Sequence, residues 1–318
     1  MSGLSQEYAR EDDLIRPFQV ERAGVRGRLA RLGPSLDAIL QRHDYPRPVA
    51  TLLGEAIALT TLLAGALKFD GVFSLQAKGD GAVRLLVADF VSPGTIRGYA
   101  QFDEAALDRT AETKDLDEAP VPRLMGSGYL AFTVDQGEDA ERYQGIVPLE
   151  GATLGDCAHK YFRDSEQIET AIRLAAAEVD DGAGGTTWRA GGLMVQRLPE
   201  GAPALLARGV EIDREAWEEN WRRAVILMAT ARDDELVDTG LSPDVLLYRL
   251  YHEEGVRVFR DVALAFGCRC SRERAEWVLQ SLSGEAIADL EVDGKLVVDC
   301  EFCSARYEFE AAEFRDNA

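Results

Sequence analysis

Four of the five cysteines crowd into the last 51 residues of a 318-residue chain, as Cys268-Arg-Cys270 and Cys300-Glu-Phe-Cys303 with 29 residues between the pairs. Two close pairs separated by a returning segment suit a tetrahedral zinc site, because each turn supplies two thiolates and the chain folds back to join them. The first pair has one spacer residue where ordinary zinc ribbons have two, which makes a tighter knuckle. From Cys268 to Phe309 there are only 42 residues, near the size at which a hydrophobic core needs help from a metal or disulfide. Within them Trp277, Val278 and Leu282 have helical spacing, and Gly284 can end that helix. Asp293-Gly294 marks a hairpin ahead of Leu296-Val297-Val298, and Tyr307 and Phe309 alternate as a closing strand. Four thiolates on one zinc ion carry a formal charge of minus two. Arg269, Arg272, Arg274 and Arg306 are near enough in sequence to offset it, or are simply solvated surface.

Such a site responds to oxidant in a definite way. Zinc supplies roughly 10–16 kcal/mol of folding free energy in small zinc peptides. Disulfides within each close pair would close loops worth only about 2 kcal/mol each, and a bridge across a single spacer residue is expected to be strained. Oxidation would therefore remove the ligands and unfold the module. Spacing alone does not decide whether the chain uses this, and by itself it favours a permanently closed structural site.

Length predicts two domains, with room for a small third module. Lys and Arg number 35 against 56 Asp and Glu, a net charge of −21, which would repel a phosphate backbone over most of the surface. General binding to nucleic acid or to an anionic membrane is thus disfavoured. An odd five cysteines in so long a chain fits a reducing compartment better than secretion. The opening MSGLSQEYAREDDLIRPF has neither the basic nor the apolar region of a secretory leader, so a cytoplasmic location is expected. Val49 to Phe69 is apolar enough to raise the question of a membrane span, but it contains Glu55, Thr51, Thr60 and Thr61. A buried core helix is the reading adopted.

The rest of the chain reads as α+β. A helix is expected from Ser35, as N-cap, to His43, and a second from about Pro48 to Leu67. Strands are expected at Val72–Ala77, Val83–Phe90 and Ile96–Phe102, with Gly79-Asp80-Gly81 as a turn; no Lys-Ser/Thr follows to make it a phosphate loop. Tyr129–Val134 and Tyr143–Leu149 form another hairpin around the acidic loop Asp135–Glu141. Thr153 is a plausible N-cap for a helix holding Cys157 and His159, which two-residue spacing puts on different faces. Cys157 reads as core. Ile168 to Val179 is Ala-rich and by composition could be helix. From Pro203 to Phe266 the chain turns to acidic amphipathic helices: Trp217, Trp221, Ala224, Val225 and Met228 form one stripe, and Ser242-Pro243 opens a second helix carrying Val245, Leu246, Leu250 and Tyr251.

Taken together, Tyr251-His-Glu-Glu-Gly-Val-Arg-Val-Phe259, Cys268-Arg-Cys270-Ser-Arg-Glu-Arg274 and Cys300-Glu-Phe-Cys303 resemble the 33 kDa chaperonin family, the redox-regulated heat-shock holdases. Upstream, Gly79-Asp-Gly81, Tyr143-Gln-Gly-Ile-Val-Pro-Leu-Glu150, Asp164-Ser-Glu-Gln167 and Gly191-Gly-Leu-Met-Val-Gln196 extend the likeness over roughly residues 10 to 310. Acidic stretches at Arg232-Asp-Asp-Glu235 and Ala111–Ala119 are minor departures that leave the cysteine motif intact. The resemblance implies that Cys268, Cys270, Cys300 and Cys303 bind one Zn2+ when reduced and form the disulfides Cys268–Cys270 and Cys300–Cys303 on oxidation. It implies an α+β amino-terminal domain with an antiparallel sheet (1–205), a metastable helical linker (206–264) and a zinc-binding redox module (265–318). It also makes Ile168–Val179 a strand paired with Trp188–Leu198. Released linker would expose Trp217, Trp221, Val225, Met228, Leu246 and Leu250 to unfolding client proteins without ATP, and the chain would pass from monomer to homodimer. Two other classes remain for comparison. A zinc-ribbon regulatory or adaptor protein with a permanent metal is disfavoured by the charge and the tight knuckle. A thiol oxidoreductase is disfavoured because no C-x-x-C lies beside a βαβ unit, and His43, His159 and His252 sit in no nucleophile arrangement; no catalytic residue is expected.

Overall fold

The computed structural model describes residues 12–112, 115–116, 118–137, 142–199 and 214–314. The expected boundary at 205/206 lies outside them, as do parts of the 111–119 run and of the 135–141 loop.

Two antiparallel sheets enclose one apolar helix. Strands β1 (Leu14–Val20), β2 (Val25–Leu32), β8 (Thr170–Asp180) and β9 (Thr186–Arg197) build sheet 1, in the order β1-β2-β9-β8. Strands β3 (Val72–Gly79), β4 (Val83–Val91), β5 (Thr95–Phe102), β6 (Gly128–Asp135) and β7 (Tyr143–Pro148) build sheet 2, in the order β5-β4-β3-β6-β7. The short α1 (Pro34–Leu40) leads into α2 (Arg47–Ala66), and α3 (Glu104–Ala111) and α4 (Leu154–Tyr161) follow β5 and β7. Between the sheets lies α2, touching β2, β8 and β9 on one side and β3, β4 and β5 on the other. Such close packing uses glycine: a Cβ on Gly98 would stand 3.0 Å from Ile57, and one on Gly192 2.7 Å from Leu62. This helix is long and apolar enough to cross a membrane, yet 78% of its apolar window is buried inside the protein.

Beyond β9 the chain covers the other face of sheet 1. Helices α5 (Arg214–Ala229), α6 (Asp233–Val237) and α7 (Pro243–Tyr251) place Trp221, Ala224, Met228, Leu236, Leu246, Leu250 and Tyr251 against Phe18, Val25, Leu29, Leu193 and Val195. Strand β9 is therefore buried on both faces, which is why Ala190 to Gln196 shows no polar alternation. The Ala-rich segment is strand β8 for a related reason: Ala171 and Ala175 meet the helices while Ile172, Leu174 and Ala176 pack toward α2. Arg31 on β2, only 2% exposed, donates to the carbonyls of Glu235, Asp238 and Leu241, so a buried cation ties the strand to the backbone of this helical layer. The chain then stitches the two sheets together. β10 (Val256–Val258) and β11 (Val262–Ala263) pair with β1, and β12 (Ala265–Phe266) pairs in parallel with β5. The terminal module holds α8 (Arg272–Gln280), α9 (Gly284–Leu290) and the hairpin β13 (Lys295–Asp299) with β14 (Arg306–Glu310).

Several local expectations hold. Thr153 and Asp156 form a reciprocal capping box, Ser242 caps α7 with Pro243 in its first turn, and Cys157 is fully buried. Others are corrected. Ser35 does not cap α1; Asp13, from the start of β1, accepts from the Gly33 and Ser35 amides and does that work across the fold. Val245 is exposed, and Leu247 is buried in the stripe instead. Gly284 starts α9 behind the Ser283 cap rather than ending α8, and Trp277 (72% exposed) and Val278 face solvent while Ala275 and Leu279 face the module core.

Glu55 in α2 borders a cavity of about 210 Å³ lined by Arg47, Leu116, Leu124, Leu174 and Asp233. Burial, reinforced by the negative charge of Asp233, pushes its carboxyl up to about 8. The folded state then binds a proton that the unfolded state releases above about 4.5. Stability from this group is thus complete below that value and lost as pH rises toward 8, by at most about 1.4 kcal/mol per pH unit. Glu55→Gln should flatten that decline and leave the chain more stable than its parent at pH 8. Urea midpoints at pH 5 and pH 8 measure it, and an unchanged decline counts against the assignment.

Candidate metal centre

The two cysteine pairs arrive from different elements. Strand β12 lies along β5, and the Gly267 amide continues the ladder by donating to the Ile96 carbonyl at 3.1 Å, which sets Cys268 and Cys270 at the edge of sheet 2. Ser271 then caps α8 and turns the chain away. Cys300 and Cys303 sit in the β13–β14 turn. There the Cys303 and Ser304 amides both donate to the Cys300 carbonyl (3.3 and 2.8 Å), and Ser304 takes a left-handed φ of 56°. The Asp299–Arg306 ion pair closes the base of that turn.

All four Sγ atoms lie within 4.8 Å of one another. Cys268 Sγ is 3.6 Å from Cys300 Sγ and Cys270 Sγ is 3.3 Å from Cys303 Sγ, so each of these contacts joins one pair to the other. Disulfide sulfurs would stand about 2.05 Å apart. Sulfurs around a tetrahedral ion at about 2.3 Å would be separated by about 3.8 Å. The observed cluster fits the second arrangement, and all four cysteines are free thiols. Burial raises the Cys268 thiol, but hydrogen bonds from the Cys270 backbone and the neighbouring thiols outweigh it and bring it down to about 7. Burial drives Cys303 the other way, up to about 12, helped by its sharing of protons with Cys270, Cys268 and Cys300. A divalent ion among the four sulfurs would stabilise all four as thiolates.

The surroundings are partly those expected. The four local arginines are engaged away from the sulfurs: Arg269 with Asp89, Arg272 with the Glu308 carbonyl and the Phe309 ring, Arg274 with the Arg269 carbonyl, and Arg306 with Asp299. The donors that reach sulfur are ones the sequence did not single out. Tyr307 donates its hydroxyl to Cys270 Sγ at 3.3 Å, and Arg97 of β5 reaches Cys268 Sγ at 3.7 Å. The alternation of the sequence marks Tyr307 as a strand residue and no more. A signal for Arg97 lies in the register: Asp89 and Arg97 fall at buried positions, whereas the charge of Arg84 on the same strand as Asp89 is exposed. Cys157 is remote in role: it lies in the main core, its thiol pushed up to about 11 by burial and by Asp156.

Comparison with known proteins places this architecture. A family model described as Hsp33 protein matches residues 13–310. The chain belongs to the Hsp33 family. The 33 kDa chaperonin of Caulobacter vibrioides is 42% identical over 311 residues, covering 98% of this chain and 99% of the relative. That of Azotobacter vinelandii is 42% identical over 304 residues, covering 95% and 93%. The crystal structure of the Thermotoga maritima 33 kDa chaperonin, a heat shock protein 33 homolog, has the same fold at 23% identity, with a TM-score of 0.75 over 96% of this chain and 97% of that one. The α+β class read from the sequence thus agrees with a solved member of the Hsp33 fold.

Within this Hsp33 chain, with zinc ion as the probe, Cys300→Ser should weaken metal binding at the cluster by at least about 100-fold, and Tyr307→Phe, which removes a hydrogen bond to a candidate ligand, by about tenfold. Competition with a chromogenic chelator reads both. Equal affinity in the serine variant and the parent would exclude Cys300 from the site.

Proposed function

We propose that this chain is a redox-regulated, ATP-independent holdase of the cytoplasm. Its amino-terminal α+β domain spans 1–205, its metastable helical linker 206–264 and its zinc-binding switch 265–318. The observation that carries the reading is the four-sulfur cluster lying directly after the strand that ties the helical layer to the sheets. Cys268, Cys270, Cys300 and Cys303 would hold one zinc ion, which when bound supplies folding free energy by tying two distant turns together. The module has little else: its core is Ala275, Leu279, Ile287, Leu296, Phe309, Ala311 and Phe314.

Oxidation by hydrogen peroxide balances as a four-electron step. Four thiolates give up four electrons to two molecules of peroxide, which with four protons become four waters, and two S–S bonds form, Cys268–Cys270 and Cys300–Cys303. The cysteines then no longer bind a cation. Because the reduced contacts run between the pairs, bonding within each pair breaks both of them. The roughly 10–16 kcal/mol that metal binding contributes to such small modules is of the same order as what burying the large side chains of the helical layer contributes, at about 1.5–3 kcal/mol each. Its loss would therefore weigh heavily on the helical layer that leads into the module. Trp217, Trp221, Met228, Leu246 and Leu250, buried here, and the half-buried Val225 would become surface for unfolded clients. The net charge of −21 would keep that surface soluble. The reduced chain is proposed as a monomer and the oxidised one as a homodimer, with neither nucleic acid nor membrane as partner.

Zinc release and suppression of aggregation of a thermally unfolding enzyme, measured before and after peroxide, test this. One zinc per chain should be released, and aggregation should be suppressed only afterwards. Zinc retained after complete thiol oxidation, or equal holding activity in both states, would favour a permanent structural zinc and overturn the switch.

A further inference from the structure

Asp89 on β4 and Arg97 on β5 face each other in register, 3% and 9% exposed, among the buried positions of the two strands. Arg97 grips Asp89 Oδ2 with Nε and Nη2 at 2.9 and 2.6 Å, Ser74 donates to Oδ1 at 2.5 Å, and Arg269 from the knuckle adds a contact at 3.2 Å. One carboxylate thus serves two guanidinium groups, and the set keeps one positive charge in excess. That excess faces the cysteines, since the remaining nitrogen of Arg97, Nη1, reaches Cys268 Sγ. The Arg97 guanidinium also lies 3.7 Å from the centre of the Phe302 ring, which meets Tyr99 edge-on at 4.7 Å. Phe302 is one of the two residues between Cys300 and Cys303, so both cysteine pairs touch the same arginine through their own segments.

We propose that Asp89, Arg97 and Arg269 form a charge latch, which docks the cysteine module on sheet 2 only while the four sulfurs carry thiolate charge. The inference rests on the metal-thiolate reading of the cluster and not on which disulfides form. A zinc-bound cluster of four thiolates is doubly negative, opposite in sign to the single excess charge of the latch. The four-electron oxidation written above leaves neutral sulfurs and removes the negative charge that faces Arg97. Any movement that draws Cys300 toward Cys303 also shifts Phe302 from its seat on Arg97. Undocking is transmitted at once, because Ile96, next to Arg97, is the residue that pairs with Phe266 and accepts from Gly267. Arg97 is thus a positioning residue for the switch, acting through the backbone of β5 on the end of the helical layer.

The test uses reduced, zinc-loaded full-length protein and reads amide hydrogen exchange at Ala265 and Gly267, which donate to Gly94 and Ile96. The double variant Asp89→Asn with Arg97→Met removes the latch without leaving a buried charge unpaired. It should keep one zinc per chain yet exchange at these two amides about tenfold faster. Oxidation should accelerate exchange at the same amides in the parent and add little in the variant. Parent-like exchange in the zinc-loaded variant overturns the latch. Should the double variant fail to fold, Arg269→Gln, a change at the partly exposed member, should speed exchange about threefold, and no change would overturn the proposal equally. Zinc retention by the oxidised parent would count against the holdase reading alone, because the exchange comparison between reduced proteins is unaffected by it.

Discussion

A core of seven buried side chains among the described residues, four of them alanine or phenylalanine, has to hold the terminal module in place. It cannot do so comfortably without the four sulfurs, and the rest of the architecture leans on that weakness. The strand that precedes the knuckle is two residues long, as is the one that ties the same segment to sheet 1. Elements so short persist because both ends are anchored, one by the helical layer on sheet 1 and the other by the cysteine cluster. Removing one anchor leaves two-residue pairings whose few hydrogen bonds contribute about 1 kcal/mol apiece. The main body has no such dependence. Its central helix is enclosed by two sheets and touches both through glycine, so its burial is independent of the metal site.

Local chemistry was legible wherever the deciding partner is close in sequence. Thr153 and Asp156 cap one another three residues apart, and Asp293-Gly294 makes its turn with both residues at positive φ, 52° and 79°. The cysteine cluster was legible for a different reason: thiolates at that spacing have few uses. What escaped depends on distant partners. Asp13 caps α1 from another strand, displacing Ser35 from a role that its position alone suggested. Trp277 and Val278 satisfy a helical period but face solvent, because the module core is too small to take an indole and is filled by Ala275 and Leu279. The Ala-rich segment could not be assigned by composition, since small side chains there answer to the helices packed on either side of sheet 1.

Charge follows the same division. Most ion pairs here lie on the surface and contribute little. Asp89, Arg97 and Arg31 are different, because each is buried and each joins segments far apart in the chain. Nothing in their immediate sequence explains a charge in a buried strand; the tertiary partner does. A buried charge with a distant partner is therefore a better pointer to a functional contact than charge density alone: of the arginines near the cysteines, Arg272, Arg274 and Arg306 are engaged elsewhere, and Arg269 joins the Asp89 pair.

Arg31 gives the face beneath the helical layer a character that its apolar residues do not. With the helices docked, its guanidinium donates to the main-chain carbonyls of Glu235, Asp238 and Leu241. In the proposed released state that cation stands beside Phe18, Leu29 and Leu193 with donors shaped to bare backbone. A folded protein has its carbonyls committed to its own helices and sheets. A chain that has lost its structure offers them at every residue, next to the apolar side chains it can no longer bury. Such a surface would discriminate by the state of its guest rather than by its sequence.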